Sequence, residues 1–169
     1  MGCALALIGT GAAVAGLQPL LMAAAYAVMF IVAITAAMVD AVEMRLLDVL
    51  TFPVLAGGVA VLAALEIAGT RQGLLPGVLG RVLYGGFLLG AGLINPRSFA
   101  LGDVKLCAGL GVWLAGLSWT ALYVGVLAGQ VLLLVTGGII RARRPGQPHR
   151  EFPAGPALVA GAILGVLLG

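Results

Sequence analysis

Charged residues are scarce in this chain of 169 residues: only 9% are Asp, Glu, Lys or Arg, whereas 62% are hydrophobic. A soluble domain carries about 25% charged residues, so too few are present here to cover a globule in water. Polar stretches are also short, and none exceeds about a dozen residues, whereas a separate domain needs about 50. These absences exclude a soluble enzyme domain and indicate a single membrane-embedded domain over residues 1–169.

Metal-ligating residues are few as well. Cys3 and Cys107 are the two cysteines, no CxxC motif occurs, and His149 is the single histidine. A structural zinc site needs a cluster of Cys and His ligands, so we expect no metal and no other cofactor. The net charge of +3 is spread over short loops, which argues against a nucleic-acid partner and leaves membrane lipids as the expected surroundings.

Apolar runs separated by Gly, Pro or charged residues predict an all-α membrane bundle of six to seven transmembrane helices. A membrane-spanning helix needs about 20 residues, so the first, fifth and last runs are short. The first run contains Ala13-Val14-Ala15, a pattern typical of signal-peptide cleavage, but no Lys or Arg precedes it, and we interpret residues 1–17 as a retained extra helix. The predicted segments are 3–16, 18–39, 50–69, 73–94, 104–117, 119–140 and 154–168.

Basic residues indicate the orientation, because Lys and Arg concentrate in the cytoplasmic loops of membrane proteins. Seven of the nine basic residues fall in alternate loops, whereas Arg71 and Arg81 lie towards the opposite side. The acidic positions 40–48 and 103 fall on the same side as the seven. We therefore predict that this side is cytoplasmic. The seven basic residues are Arg45, Arg97, Lys105, Arg141, Arg143, Arg144 and Arg150.

Two aspartates lie where apolar runs meet polar loops. Asp40 ends the second run, and Asp103 begins the fifth. Ionisable groups at such positions are costly unless they are functional or lie at the water boundary. Two carboxylates held close together do not both ionise easily, so one activates water while the other donates a proton. We therefore predict a dyad in which Asp103, at a helix N-terminus, is the resting base and Asp40, at a helix C-terminus, is the resting acid.

Simpler structural roles stay open for the same residues. Asp103 is also typical of an N-cap, Asp40 of a boundary residue that faces headgroups, and Asp48 of the cap of the third segment. Lys105 fits a lysine that extends its amine to the cytoplasmic boundary, or a cation that stabilises Asp103. Gly102 removes a Cβ beside Asp103 and permits close approach of a substrate or a neighbouring helix.

Three stretches, taken together with Asp40, resemble a known family. They are Leu-Leu-Asp-Val-Leu-Thr-Phe-Pro at 46–53, Ala-Leu-Gly-Asp-Val-Lys-Leu at 100–106 and Phe-Pro-Ala-Gly-Pro at 152–156. Their order and spacing are similar to those of the type IV prepilin peptidases, the GxGD aspartyl membrane proteases, over residues 20–165. The chain departs from the family's Gly-x-Gly-Asp, Leu-Pro-Asp and Pro-Phe-Gly-Pro patterns at Ala100, Leu47 and Ala154.

The resemblance implies an activity and a place for it. The expected reaction is cleavage of the short basic leader of type IV prepilins or pseudopilins, just after its terminal Gly, at the cytoplasmic face of the bacterial inner membrane. Asp40 and Asp103 match the family's catalytic pair, and Asp48 matches a supporting acid. We also assign supporting roles to Gly102 and Lys105. Larger members methylate the new pilin terminus and carry a cysteine-rich insertion, which this chain lacks, so we expect a peptidase-only form.

Other classes of function make different demands on the sequence. A carboxylate-based ion or proton transporter predicts acidic residues near the middle of the membrane. A phospholipid-headgroup transferase requires a denser cluster of Asp around a divalent ion. A catalytically silent membrane protein is the third alternative. The sequence identifies neither the particular pilin nor the oligomeric state.

Overall fold

The computed structural model describes residues 2–43, 48–67, 73–94, 101–143 and 153–169, with the side chains of these residues apart from 2–18, Asp48 and Arg141. The described residues form six α-helices, which confirms the all-α class. They are α1 Gly2–Glu43, α2 Asp48–Ile67, α3 Leu74–Ile94, α4 Leu101–Leu117, α5 Trp119–Arg143 and α6 Gly155–Leu168.

Four segments of these helices have the length and hydropathy to cross a membrane: Pro19–Glu43, Val49–Ile67, Leu74–Ile94 and Trp119–Ile140. Gly155–Leu168 is a shorter apolar helix. Large apolar side chains such as Leu20, Phe87 and Leu134 are exposed on the outer faces of the bundle. So much exposed apolar surface is stable in lipid and not in water, and the chain is therefore a membrane protein.

The N-terminal helix differs from the expectation. The sequence predicts separate segments at 3–16 and 18–39, whereas α1 continues from Gly2 to Glu43 with Pro19 inside it. Proline removes one backbone hydrogen bond from a helix, but apolar surroundings offer the backbone no alternative partners, so the helical form persists. A helix of 42 residues is about 63 Å long, roughly twice the thickness of the hydrocarbon core.

α4 lies at the centre of the bundle, and its inward residues are almost entirely buried. Small residues bring its neighbours close: a Cβ placed on Gly85 of α3 would lie 2.8 Å from the Cβ of Ala108 on α4. α5 and α6 meet in the same way, because a Cβ on Gly165 would lie 2.8 Å from the Cα of Gly125. Close van der Waals contact of this kind stabilises helix pairs in lipid, where no hydrophobic force drives them together.

α2 and α4 run parallel to each other. Successive turns of α2, at Val54, Gly58 and Leu62, contact successive turns of α4 at Gly109, Trp113 and Gly116. In these three contacts the residue numbers differ by 54 or 55, so a residue of α4 lies level with the α2 residue about 55 positions earlier in the sequence. The N-termini of both helices therefore lie at the same end of the bundle.

α1 runs antiparallel to α2 and α4. It borders an apolar cleft of about 260 Å³ that α2 and α4 also line, so the three helices lie side by side. Only four residues, 44–47, separate α1 from α2, and the connection reaches at most about 18 Å. This reach is shorter than the length of α2, which is about 30 Å. The C-terminus of α1 therefore lies at the same end as the N-termini of α2 and α4.

Candidate active site

Asp40 lies one turn before the end of α1, and its side chain is buried, with 5% of its surface exposed. The face of α1 that leads to it carries the buried residues Ala33, Ala36 and Ala37. Because these side chains are small, another helix can approach the α1 backbone closely. The helix that does so is α6, whose first residue reaches Asp40.

A hydrogen bond joins Asp40 to α6 across the bundle. The backbone N–H of Gly155 donates to Asp40 Oδ2 at 2.9 Å. Ala154, the N-cap of α6, supplies no side-chain oxygen, so Asp40 performs from α1 the capping role that Ser or Asp performs locally in other helices. The N-terminus of a helix carries a positive partial charge that stabilises a nearby anion.

Asp103 occupies the first turn of α4 and is also buried, with 6% of its surface exposed. It therefore lies at the positive end of its own helix. Gly102, beside it, is half-buried, and Lys105 is exposed.

Both aspartates lie at the same end of the bundle. Tyr26 of α1 donates a hydrogen bond to the backbone oxygen of Trp113 on α4 at 2.7 Å, and the two rings meet edge to face with centroids 5.0 Å apart. Asp40 follows Tyr26 by 14 residues, and Asp103 precedes Trp113 by 10. At a rise of 1.5 Å per residue these separations are about 21 and 15 Å. Because the helices are antiparallel, moving forward along α1 from Tyr26 and backward along α4 from Trp113 leads towards the same end of the bundle. The two aspartates therefore differ in height along the bundle by about 6 Å.

The start of α2 lies level with Asp103. The register of α2 against α4 places Asp103 beside residues 48–49, and Asp48 is the first residue of α2. Thr51, one turn further along, is buried with 1% of its surface exposed. Thr51 is a buried polar residue that the sequence analysis did not assign to the site, although it lies within the motif-like stretch 46–53.

Three helix N-termini thus meet at the end where α1 terminates. The prediction of unequal roles for the aspartates considered α1 alone, where a C-terminal position disfavours negative charge. α6 supplies the opposite influence through Gly155. Helix dipoles therefore do not distinguish a resting base at Asp103 from a resting acid at Asp40. Gly155 itself was visible in the sequence only as part of the stretch 152–156.

Several predicted features lie outside the described residues. They include five of the nine basic positions used to orient the chain and several of the positions that carry or break the family patterns. The structure therefore does not test the distribution of basic loop residues. Among the residues that it describes, no group of three His, Cys, Asp or Glu is arranged to hold a metal ion. The features outside are Arg45, Arg97, Arg144, Arg150, Leu47, Ala100 and Phe152, together with Arg71 and His149.

Comparison with known proteins relates the chain to a peptidase family. A model of the type IV leader peptidase family matches residues 27–139, which is about two thirds of the chain. The matched range includes Asp40, Asp48 and Asp103 and ends before α6. No curated protein and no solved structure shows a significant match.

Proposed function

Because the chain belongs to the type IV leader peptidase family, we propose that it is a membrane aspartyl endopeptidase that removes the leader peptide of type IV prepilins or pseudopilins. Asp40 and Asp103 form its catalytic dyad. The observation that carries the proposal is that two buried carboxyl groups, 63 residues apart in the sequence, lie at one end of the bundle. Buried carboxylates without a function are uncommon in membrane helices because they are costly.

The dyad cleaves the peptide with water as the nucleophile. One carboxylate accepts a proton from water, and the oxygen of that water attacks the scissile carbonyl carbon. The other carboxyl group donates its proton to the carbonyl oxygen, which becomes a hydroxyl in the tetrahedral intermediate. When the C–N bond breaks, the first carboxyl group returns its proton to the leaving nitrogen and the hydroxyl proton goes to the second. Both aspartates regain their initial states, and no cofactor takes part.

Helix N-termini stabilise the charge that this reaction requires. The first turn of α4 carries Asp103, and the first N–H of α6 contacts Asp40. Asp48 adds a third acidic group at the start of α2. We propose that Asp48 and Gly102 support the site, Gly102 by leaving room for the substrate backbone, and that Lys105 contributes positive charge at the membrane boundary.

The dyad end of the bundle faces the cytoplasm in this proposal. Lys105 is exposed at this end, and so is Arg143 at the C-terminus of α5, because α5 begins where α4 ends. Arg81 lies in the first half of α3, which begins at the opposite end. This asymmetry follows the positive-inside rule. We further propose that all six helices cross the bacterial inner membrane as one domain without methyltransferase activity.

A transporter would place its acidic residues differently. Carboxylates that carry ions or protons lie along a path near the middle of the membrane. Asp40 is the fourth residue from the end of α1, and Asp103 is the third residue of α4. Their position at helix ends favours a boundary reaction on a peptide whose leader is water-soluble.

Co-expression with a prepilin tests the proposal. We expect leader removal by the wild type and at least about a thousandfold slower processing by Asp40→Ala or Asp103→Ala, as is typical when a group essential to the chemical step is lost. Glu43→Ala is the matched control, because Glu43 is an exposed carboxylate on α1 less than one turn from Asp40 and its loss should leave processing unchanged. Continued processing by either Asp variant would remove the dyad from the mechanism.

A further inference from the structure

We propose that the N-terminus of α6 is a third component of the active site and that Gly155 is a positioning residue, which fixes the Asp40 carboxylate through its backbone N–H. The inference rests on the proposed dyad and adds to it the start of α6, which lies outside residues 27–139, the range that the family model matches. Its basis is the hydrogen bond of 2.9 Å from the N–H of Gly155 to Asp40 Oδ2, which is buried.

The contact requires glycine. A Cβ at position 155 would lie 2.9 Å from Asp40 Oδ2, 3.2 Å from Asp40 Cβ and 3.4 Å from the Cα of Ala37. All three atoms belong to α1. Any side chain at position 155 would therefore push the carboxylate away from the amide that binds it.

Neither helix has room to retreat. α1 presents the backbone and Cβ atoms of Ala33, Ala36 and Ala37 on this face, so no long side chain can rotate aside. On its other side α6 packs tightly on α5, where a Cβ on Gly165 would lie 2.5 Å from the backbone oxygen of Ala121. An added methyl group at position 155 must therefore be accommodated by movement of Asp40 itself.

Gly155 supplies the hydrogen bond that the structure shows from the start of α6 to Asp40. The residue before it, Ala154, is the N-cap, and the residue after it, Pro156, has no N–H. The amide of Gly155 thus determines which carboxylate oxygen is held. Because Oδ2 accepts this hydrogen bond, we assign Oδ1 of Asp40 as the oxygen that faces water and Asp103.

Kinetics of the purified enzyme test the role of Gly155. The probe is a synthetic prepilin with a short basic leader that ends in Gly and precedes an apolar helix. Loss of a hydrogen bond to a charged group corresponds to about tenfold or more in rate, so Gly155→Ala should lower kcat by at least about tenfold and change KM by less than about twofold. A kcat within about twofold of the wild type would overturn the positioning role while leaving the dyad intact.

Two other glycine variants separate positioning from general packing. Gly165→Ala disturbs the contact of α6 with α5 at the far end of the helix. It should lower stability but leave kcat per folded molecule unchanged. Gly86→Ala places a methyl group where no described atom lies within 4 Å; it should be as stable as the wild type or more stable by up to about 1 kcal/mol, with an unchanged kcat. An equal loss of kcat in Gly165→Ala would mean that α6 acts through packing alone, and would overturn the proposal.

Hydrogen exchange provides a readout that does not depend on cleavage or on the folding of a Gly155 variant. Removal of the acceptor in Asp40→Ala should accelerate exchange of the Gly155 amide by at least about tenfold, whereas Asp103→Ala should not. Unchanged exchange in Asp40→Ala would overturn the hydrogen bond and with it the inference. If the wild type fails to cleave the probe but exchange responds as expected, the peptidase function fails and the contact between Gly155 and Asp40 stands.

Discussion

Gly85 and Gly86 are adjacent residues of α3, but only Gly85 is in close contact with another helix. Alanine substitution should therefore change the free energy of unfolding differently at the two positions. A Cβ on Gly85 would lie 2.8 Å from Ala108 Cβ and 3.2 Å from Ala108 Cα, whereas a Cβ on Gly86 meets no described atom within 4 Å. Ala is favoured over Gly in a helix by up to about 1 kcal/mol, and this gain applies at both positions. Overpacking of a close contact costs about 1–3 kcal/mol, and this loss applies at Gly85 alone.

We therefore expect Gly85→Ala to have a free energy of unfolding about 1–3 kcal/mol lower than that of Gly86→Ala. The measurement is reversible unfolding of the purified protein in mixed micelles, followed by circular dichroism as the fraction of SDS is raised. The Gly85→Ala variant should recover part of its loss when combined with Ala108→Gly, because the second change removes the nearest atom, and such a recovery is a direct coupling of the two positions. Equal unfolding free energies for the Gly85 and Gly86 variants would refute the close contact of α3 with α4, and with it the support that holds Asp103 in place.

Two further predictions concern single hydrogen bonds. Tyr26→Phe removes the bond to the backbone of Trp113 and should lower the free energy of unfolding by about 0.5–1.5 kcal/mol, whereas Tyr123→Phe, at an exposed position, should have no effect in the same micelle titration. Ser118 Oγ accepts the N–H of Ala121 at 2.9 Å at the start of α5; Ser118→Ala should therefore lower stability by about 1 kcal/mol, and Ser118→Asp, which keeps a capping oxygen, should restore it. A thermal unfolding series in which Ala and Asp at position 118 behave alike would contradict the cap.

The sequence predicts most of the helices because helix-terminating residues lie at their ends. The predicted segments 73–94 and 154–168 each begin one residue before the observed helices, α3 and α6, and end at the same residue. The agreement is close because Gly, Pro and charged residues lie at the ends of these segments. α1 was not predicted as one helix because the apolar run was divided after Gly16, so that Pro19 fell in the first turn of a separate segment, 18–39. In lipid the backbone has no partner outside its own helix, so a proline that would end a helix in water is retained within one.

The sequence also indicates which carboxylates form the candidate site, but not which groups hold them. Asp40 and Asp103 stand out because charge is rare in apolar runs, and this signal is local. The hydrogen bond from Gly155 to Asp40 joins residues 115 positions apart in the sequence. It forms only if the first residue of α6 lies at the same axial position as Asp40 on α1. Neither the hydrophobic periodicity nor the composition of the sequence predicts this axial position. The burial of Thr51 is a similar case, because it results from the register of α2 against α4.

The central position of α4 has a consequence for biogenesis. α4 has 17 residues and is not among the segments long enough to cross a bilayer unaided, and it begins with an acid and a lysine. We expect the translocon to insert such a segment into the bilayer inefficiently until earlier helices are present to pack around it. Under the proposed dyad, a nascent chain acquires its second catalytic carboxyl group, Asp103 of α4, only when α4 assembles with its neighbours. Before that step it would not cleave the proteins that are inserted beside it.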